Sequence, residues 1–112
     1  MKKILVSPGF GAGWSTWNSG DVAKYMLTYK PIIDYLESGG RFPDITHIKE
    51  KDMPPLLKQL QLECKEKFGE DYVCVLGADD LVVKKVKGKF IINEYDGCES
   101  IQTVEDTNWM EA

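Results

Sequence analysis

The chain has 112 residues, of which 43% are hydrophobic and 29% charged, and its formal net charge is −4. This length fits one compact domain, and the composition excludes a disordered, fibrous or low-complexity chain. No run approaches the roughly 20 apolar residues of a membrane span, and the apolar residues 4–6 are too short for a signal peptide. The acidic balance argues against direct binding to nucleic acid or to a membrane. We therefore expect one cytoplasmic domain, residues 1–112.

Cysteine and histidine are too few and too scattered for a metal site. Cys64, Cys74 and Cys98 show no CxxC spacing, and in a chain without an export signal they are expected to be free thiols. His47 is the only histidine and Arg41 the only arginine. An anion site in this protein would therefore depend on backbone N–H groups, hydroxyls or lysines. No metal site and no cofactor is identified.

The first half of the chain predicts one strand and three helices. Residues 2–7 form an apolar run closed by a proline, which predicts a strand buried on both faces. A short helix follows with Ser19 or Asp21 as its N-cap, and Pro31 opens a second helix that Gly39 and Gly40 end. Residues 41–51 predict a loop with a short extended piece at 45–48. A longer helix follows this loop, capped by Asp52 and with Gly69 just past its end. Its inner stripe consists of Met53, Leu56, Leu57, Leu60 and Cys64.

The second half of the chain has the period of β-strands. Residues 72–76, 81–86, 90–95 and 98–104 are β-rich runs separated by short polar or glycine-containing segments. Asp96-Gly97 between two apolar runs is a strong hairpin signal, and Lys87-Gly88 is a weaker one. The expected fold is α+β: an antiparallel sheet of about five strands, built from a C-terminal meander and the first strand, with two or three helices packed on one face.

A two-residue turn at Asp96-Gly97 places two carboxylates opposite each other. Tyr95 then faces Cys98, and Glu94 faces Glu99 on the face of the sheet that also holds Ile92 and Ile101. A second two-residue turn at Lys87-Gly88 would add Leu81, Val83 and Phe90 to that face. Facing like charges need compensation by a lysine, a shared proton, a cation or a ligand. The alternative is a bulge after Gly97 that rotates one glutamate to solvent.

Charge is distributed unevenly along the chain. All 14 basic residues lie at or before Lys89, whereas six of the 18 acidic residues follow it. Lysines at 84, 85, 87 and 89 are a common protection of a strand edge. A bipolar surface that docks a partner is the other interpretation.

The glycine-rich residues 8–18 lie between a strand and a helix, where backbone N–H groups can converge on an anion. They match neither a phosphate-binding P-loop nor a dinucleotide fingerprint. One interpretation is a tight connection whose tryptophans fill the core. The other is a ligand site, formed together with the acidic hairpin, whose candidate residues are Gly9, Phe10, Gly11, Ala12, Gly13, Trp14, Ser15, Thr16, Trp17, Asn18, Glu94, Asp96 and Glu99.

The segments PGFGAGWSTWN and FIINEYDGCESI, with the chain end near Trp109, resemble a family of small uncharacterised proteins encoded by bacteriophages. The resemblance implies an accessory protein in the host cytoplasm that acts against host defences, and it transfers no catalytic residues. Sequestration of a nucleotide signal or inhibition of a defence protein would fit that role.

Three functions are consistent with these observations. The first is a non-enzymatic protein that binds a nucleotide-like small molecule between the glycine-rich loop and the acidic hairpin. The second is a protein–protein inhibitor that uses the acidic hairpin, with Trp109 as an anchor. The third is a small hydrolase or transferase with Glu94 and Glu99 as acid and base. The oligomeric state is left open.

Overall fold

A computed structural model describes residues 2–9 and 12–103, without the side chains of Glu50 and Thr103. Within these residues the chain forms α1 (Gly20–Leu27), α2 (Lys30–Glu37) and α3 (Pro55–Phe68), together with the strands β1 (Lys2–Val6), β2 (Val82–Val86), β3 (Phe90–Tyr95) and β4 (Cys98–Thr103). The predicted α+β class is confirmed, with four strands in place of the expected five. Phe10, Gly11, Trp109 and the predicted strand end at Val104 lie outside the described residues.

The three helices form where the apolar spacing predicts them. Their buried residues are Val22 and Met26 in α1, Ile32, Ile33 and Leu36 in α2, and Leu57, Leu60 and Cys64 in α3. Gly69 follows α3 with a φ of 71°, in the left-handed region that ends many helices. The predicted cap at Asp52 is wrong, because Pro54 is the N-cap and Asp52 belongs to a separate 3₁₀ turn, Glu50–Asp52. Pro55 explains the later start, since the residue before a proline avoids the helical region.

The sheet of β1 and β2 lies in the middle of the molecule, with a layer on each side. Its antiparallel register pairs Leu5 with Val83 and Ile4 with Lys84. Leu5 and Val83 belong to the main core, which the three helices cover. Ile4 and Val6 point the other way, where the β3–β4 hairpin covers them with Phe90, Ile92 and Ile101. The first strand is therefore buried on both faces over Ile4–Val6, as its continuous apolar run predicts.

The expected C-terminal meander does not form. Within residues 2–9 and 12–103, β2 pairs with β1 and β3 pairs only with β4, so these strands form two separate two-stranded sheets. The predicted single core face is therefore wrong: Leu81 and Val83 lie in the helical core, whereas Phe90, Ile92 and Ile101 lie in the second cluster. β2 pairs with β1 along its whole length, and residues 87–89 then carry the chain to the opposite layer.

Residues 72–76 are not a strand, although Val73, Cys74 and Val75 are buried. Hydrogen bonds from side-chain amides take the place of the backbone bonds that a neighbouring strand would make. Asn18 accepts a hydrogen bond from Cys74 N and donates one to Cys74 O, both at 3.0 Å. Gln61 donates to the carbonyl of Val73 at 3.3 Å. These bonds satisfy buried backbone groups that a strand would otherwise have to pair.

The extended piece predicted at residues 45–48 is a turn. Ile48 N donates to Ile45 O at 3.2 Å. Asp44 accepts hydrogen bonds from the N–H and the hydroxyl of Thr46, and these bonds lower the pKa of the Asp44 carboxyl. An aspartate that bonds the backbone two residues ahead stabilises a turn, which explains why the apolar residues here do not extend.

Candidate functional site

The β3–β4 hairpin has the register that the sequence predicts. Asp96 and Gly97 form the two-residue turn with φ angles of 49° and 82°, the positive values that this class of turn requires. Tyr95 pairs with Cys98, Glu94 with Glu99, and Ile92 with Ile101. The pairing continues without a bulge to Thr103, so the alternative of a bulge after Gly97 that prevents the pair is wrong, although Glu94 itself is exposed.

Glu99 is buried, with 2% of its surface exposed, and its carboxylate faces the glycine-rich loop. Oε1 accepts a hydrogen bond from Ser7 N at 2.8 Å. Oε2 accepts from Trp14 N at 2.7 Å, from Thr16 N at 3.1 Å and from the Thr16 hydroxyl. The backbone N–H of Glu99 also donates to Ser7 O at 2.8 Å. We call Ser7, Trp14 and Thr16 the socket of Glu99.

The compensation for the facing carboxylates thus comes from the chain itself. Hydrogen bonds from backbone N–H groups stabilise a carboxylate in a buried position, where an unpaired charge would be very costly. Glu94 is exposed, and its Oε2 accepts a hydrogen bond from Gly97 N at 2.7 Å within its own turn. The two glutamates therefore have separate partners, and no shared proton, lysine or cation is needed to hold them.

The loop does gather N–H groups around an anion, as its glycines predict, but the anion is Glu99. Sequence reasoning missed this pairing and the part that Ser7 plays in it. Two signals were present in the sequence: a set of backbone donors without a recognised phosphate motif, and a glutamate on the core face of a hairpin without a cation. Joining them would have required the tertiary contact between residues 85 positions apart.

The other polar groups of the loop also serve the fold. The Trp14 indole is fully buried and donates to Met26 O at 3.0 Å, and Ser15 is buried as well. Asn18 pairs with Cys74, as described above. Ala12 O accepts a hydrogen bond from the Ser7 hydroxyl at 3.2 Å. Trp14 is thus a core residue, which was the alternative interpretation of the tryptophans, whereas Trp17 keeps 41% of its surface exposed.

The start of the loop faces acidic groups. A Cβ at Gly9 would lie 2.2 Å from Oδ2 of Asp80, so the loop backbone packs directly against that carboxylate. Burial, and then the charge of Asp80, raise the pKa of the neighbouring Asp79 carboxyl. A phosphate near Gly9 would therefore meet negative charge.

The glycine-rich loop and the Asp96-Gly97 turn are neighbours, as a shared site requires, but they touch directly. A Cβ at Gly97 would lie 2.4 Å from Ala12 N, which leaves no space for a ligand between these two backbones. Cys98 Sγ lies 3.0 Å from Pro8 O in the same contact. A groove of about 420 Å³ runs between β2 and β4 and borders Pro8 and Glu99 but none of residues 12–18; its other lining residues are Val6, Lys84, Lys85, Val86, Ser100 and Ile101.

Among the predicted site residues of the hairpin, those next to the turn are exposed. Tyr95 is 78% exposed, and Glu94 and Asp96 beside it are also exposed. The turn Ser15–Trp17 lies against β3, and a Cβ at Gly13 would approach both Trp17 and the Glu99 carboxylate. Trp17 is therefore close to Glu99, near the turn of the hairpin. We call Glu94, Tyr95 and Asp96 the hairpin end.

The described residues show no constellation typical of catalysis. Both oxygens of Glu99 already accept hydrogen bonds from the socket, and Glu94 bonds to Gly97 N in its own turn. Within residues 2–9 and 12–103, no group of three or more His, Cys, Asp or Glu side chains is placed to hold a metal ion. The buried Tyr29 hydroxyl donates to Glu63, and burial followed by this bond raises the pKa of Tyr29, which suits a structural hydrogen bond.

Among the described residues, no helix has the length and apolar character needed to cross a membrane. Compared with known proteins, the chain matches no family model, no curated protein and no solved structure.

Proposed function

We propose that this is a non-enzymatic binding protein that recognises a partner protein through the hairpin end. The observation that carries the proposal is the contrast within one hairpin: Glu99 is locked into its socket, while Tyr95, Glu94 and Asp96 project into solvent. A nucleotide held by the loop would have to displace Glu99 from three N–H groups. The hairpin end, and not the loop, therefore carries the function that we propose.

The socket supports this proposal because it makes the hairpin rigid before binding. The Glu99 carboxylate fixes the hairpin to the loop from one side, and Phe90, Ile92 and Ile101 pack it against β1 and β2 from the other. A surface that is already ordered loses less conformational entropy when it binds. The two-residue turn further limits the motion of Tyr95 and Asp96.

The chemistry of the hairpin end indicates a basic partner. Tyrosine is enriched among the residues that dominate protein interfaces, because it offers a large apolar surface with a polar tip. Glu94 and Asp96 flank Tyr95, and no basic residue occurs from Phe90 onwards. An arginine or lysine of the partner would meet two carboxylates and an aromatic face. Because the chain resembles phage accessory proteins, the partner that we propose is a host defence protein.

The test is a comparison of the host proteins that variants of this protein capture. Tyr95→Ala combined with Glu94→Lys changes the hairpin end, whereas Tyr72→Ala combined with Glu70→Lys makes the same changes at exposed positions after α3. We expect a specific host protein to be captured by the wild type and the Tyr72 variant and lost from the Tyr95 variant. Its binding constant is then measured by calorimetry with the purified partner.

A photo-crosslinking phenylalanine at position 95 gives an independent result. It should crosslink to the same host protein, and the same residue at position 72 should not. If all variants capture identical proteins and position 95 crosslinks to nothing specific, the proposal is wrong.

A further inference from the structure

The outer edges of β2 and β3 are protected very differently. β2 (VVKKV) carries Lys84 and Lys85 at its centre, and lysines on an edge strand discourage pairing with another chain. β3 (FIINEY) has no charge in its first four residues. Its outer edge thus lacks the usual protection against another strand.

The outer edge of β3 also presents unpaired backbone groups. Tyr95 and Cys98 flank the two-residue turn and form a hydrogen-bonded pair, so the N–H and C=O groups of Phe90, Ile92 and Glu94 face away from β4. None of the described residues forms a backbone hydrogen bond with these groups. This alternation leaves an edge on which a further strand can pair.

The outer face of the hairpin is uncharged and partly apolar. Ile91 is 58% exposed and lies on the same face as Tyr95. The remaining residues of that face are Asn93, Cys98, Ser100 and Gln102, and Asn93 donates a hydrogen bond to Gln102 at 3.1 Å. Neither hydrophobic side chain has a covering layer among the described residues.

Charge along β3 has opposite signs at the two ends. Lys87 and Lys89 precede the strand, and Glu94 and Asp96 lie at its other end. A parallel alignment of two such strands would set like charges together. An antiparallel alignment sets each acidic end against a basic end, as a two-fold axis requires. The strand is therefore complementary to itself.

We propose that a second copy of this chain is the occupant of this edge. The two β3 strands pair antiparallel with Ile92 opposite Ile92 of the second copy, which forms one four-stranded sheet. In this register Lys89 lies opposite Tyr95 of the second copy, and Gly88 lies opposite Asp96. The dimer goes beyond the function proposed above and requires no other partner.

The contact is small, consisting of one strand edge and one narrow face, so the dimer should be weak and concentration-dependent. Sedimentation equilibrium of the wild type, from micromolar to millimolar protein, should show a monomer–dimer equilibrium that weakens in high salt because screening reduces the end-to-end attraction. A monomer throughout this range would overturn the proposal and leave the partner-binding function untouched.

A single apolar-to-charged change provides the first variant test. Ile91→Lys places a charge on the outer face at an exposed position, and we expect the dimer to weaken by about tenfold. Leu62→Lys is the matched control, because Leu62 is 61% exposed on α3 and lies outside the hairpin. Equal dimerisation of the two variants would contradict the proposed surface. Circular dichroism melting confirms that both are folded.

Charge exchange tests the antiparallel arrangement itself. The first variant, Lys87→Glu/Lys89→Glu, carries acids at both ends of β3. The second, Glu94→Lys/Asp96→Asn, reverses the acidic end, and asparagine suits the positive φ at position 96. Each variant alone should be monomeric, and their mixture should form a 1:1 heterodimer. Homodimers of either variant as strong as the wild type, or no heterodimer on mixing, would overturn this arrangement.

Discussion

Glu94 and Glu99 face each other across one strand pair, yet they lie in opposite environments. Glu99 is buried and accepts hydrogen bonds from Ser7, Trp14 and Thr16, whereas Glu94 is exposed and caps its own turn through Gly97. The same residue type at paired positions thus holds the hairpin in place on one strand and belongs to its free end on the other. The strand register determines which residues are neighbours, and the tertiary packing determines which other groups each of them contacts.

The contrast extends to the regions around the two glutamates. Around Glu99, backbone atoms of the loop and the turn approach so closely that a single Cβ would collide. Around Glu94 the side chains are exposed and free to contact another molecule. The region around Glu99 therefore contributes to stability, whereas the region around Glu94 is the one that we propose for recognition. Paired substitutions in the two regions can measure this difference in stability.

Glu99→Gln should have the largest effect on stability. The amide keeps one acceptor oxygen but brings an NH₂ group against backbone donors, so the free energy of unfolding should fall by about 3 kcal/mol. Glu94→Gln keeps the acceptor for Gly97 N and should cost less than about 1 kcal/mol. Urea unfolding followed by circular dichroism measures both. Equal losses would remove the distinction between socket and hairpin end.

Gly97→Ala should be the next most severe change. Gly97 and Gly88 both have positive φ, so an alanine at either position costs about 1 kcal/mol of backbone strain. Only at position 97 does the added Cβ meet backbone, 2.4 Å from Ala12 N, while space around Gly88 is open. We expect Gly97→Ala to lose at least about 1 kcal/mol more than Gly88→Ala in the same unfolding assay. A smaller difference would show that the turn can move away from the loop at little cost.

Trp14→Phe sharpens the comparison within the loop itself. The change removes the indole hydrogen bond to Met26 O and leaves a space in the core, so about 2 kcal/mol of stability should be lost. Trp17→Phe, on the exposed side, should stay within about 0.5 kcal/mol of the wild type. Thermal melts of the two variants give the ordering. The reverse order would indicate that Trp17 and not Trp14 anchors the loop.

The smallest expected effect is a pH dependence outside both regions. Burial and the bond to Glu63 raise the pKa of Tyr29 above its usual value of 10.0, so the folded state holds this proton more tightly than the unfolded chain. The resulting stability is fully present below pH 10 and falls as the pH rises beyond it. Tyr29→Phe should reduce this alkaline loss of stability. Part of the loss should remain, because burial also raises the pKa of Tyr25, which makes a similar contribution.

A substitution of Glu99 provides the control for this pH dependence. Glu99→Gln should lower stability by the same amount at neutral and at alkaline pH, because Glu99 is not among the groups that shift the pKa of Tyr29 or Tyr25. Urea unfolding at several pH values tests this. An alkaline loss that depends on Glu99 instead of Tyr29 would contradict the separation of the two regions.

Local patterns predicted much of this fold. The helix α3 follows from its apolar stripe and from Gly69, and the hairpin register follows from Asp96-Gly97, because both depend on residues close together in the chain. The predicted site, residues 9–18 with Glu94, Asp96 and Glu99, joins a loop and a turn that touch at Ala12 and Gly97. The sequence did not indicate that backbone donors of the loop bond to Glu99. Trp14 and Asn18 belong to the predicted site and bond to Met26 and Cys74.

The sequence by itself determined the α+β class, the helices, the pairing of Glu94 with Glu99 and the acidic character of the chain after Lys89. Only the tertiary structure decided that β2 pairs with β1, that side-chain amides flank residues 72–76, and that the loop binds Glu99. The physical reason is distance along the chain. A turn or a helix depends on neighbours a few residues away, whereas Glu99 takes its donors from residues 92, 85 and 83 positions earlier, which only the packed layers bring within hydrogen-bond reach.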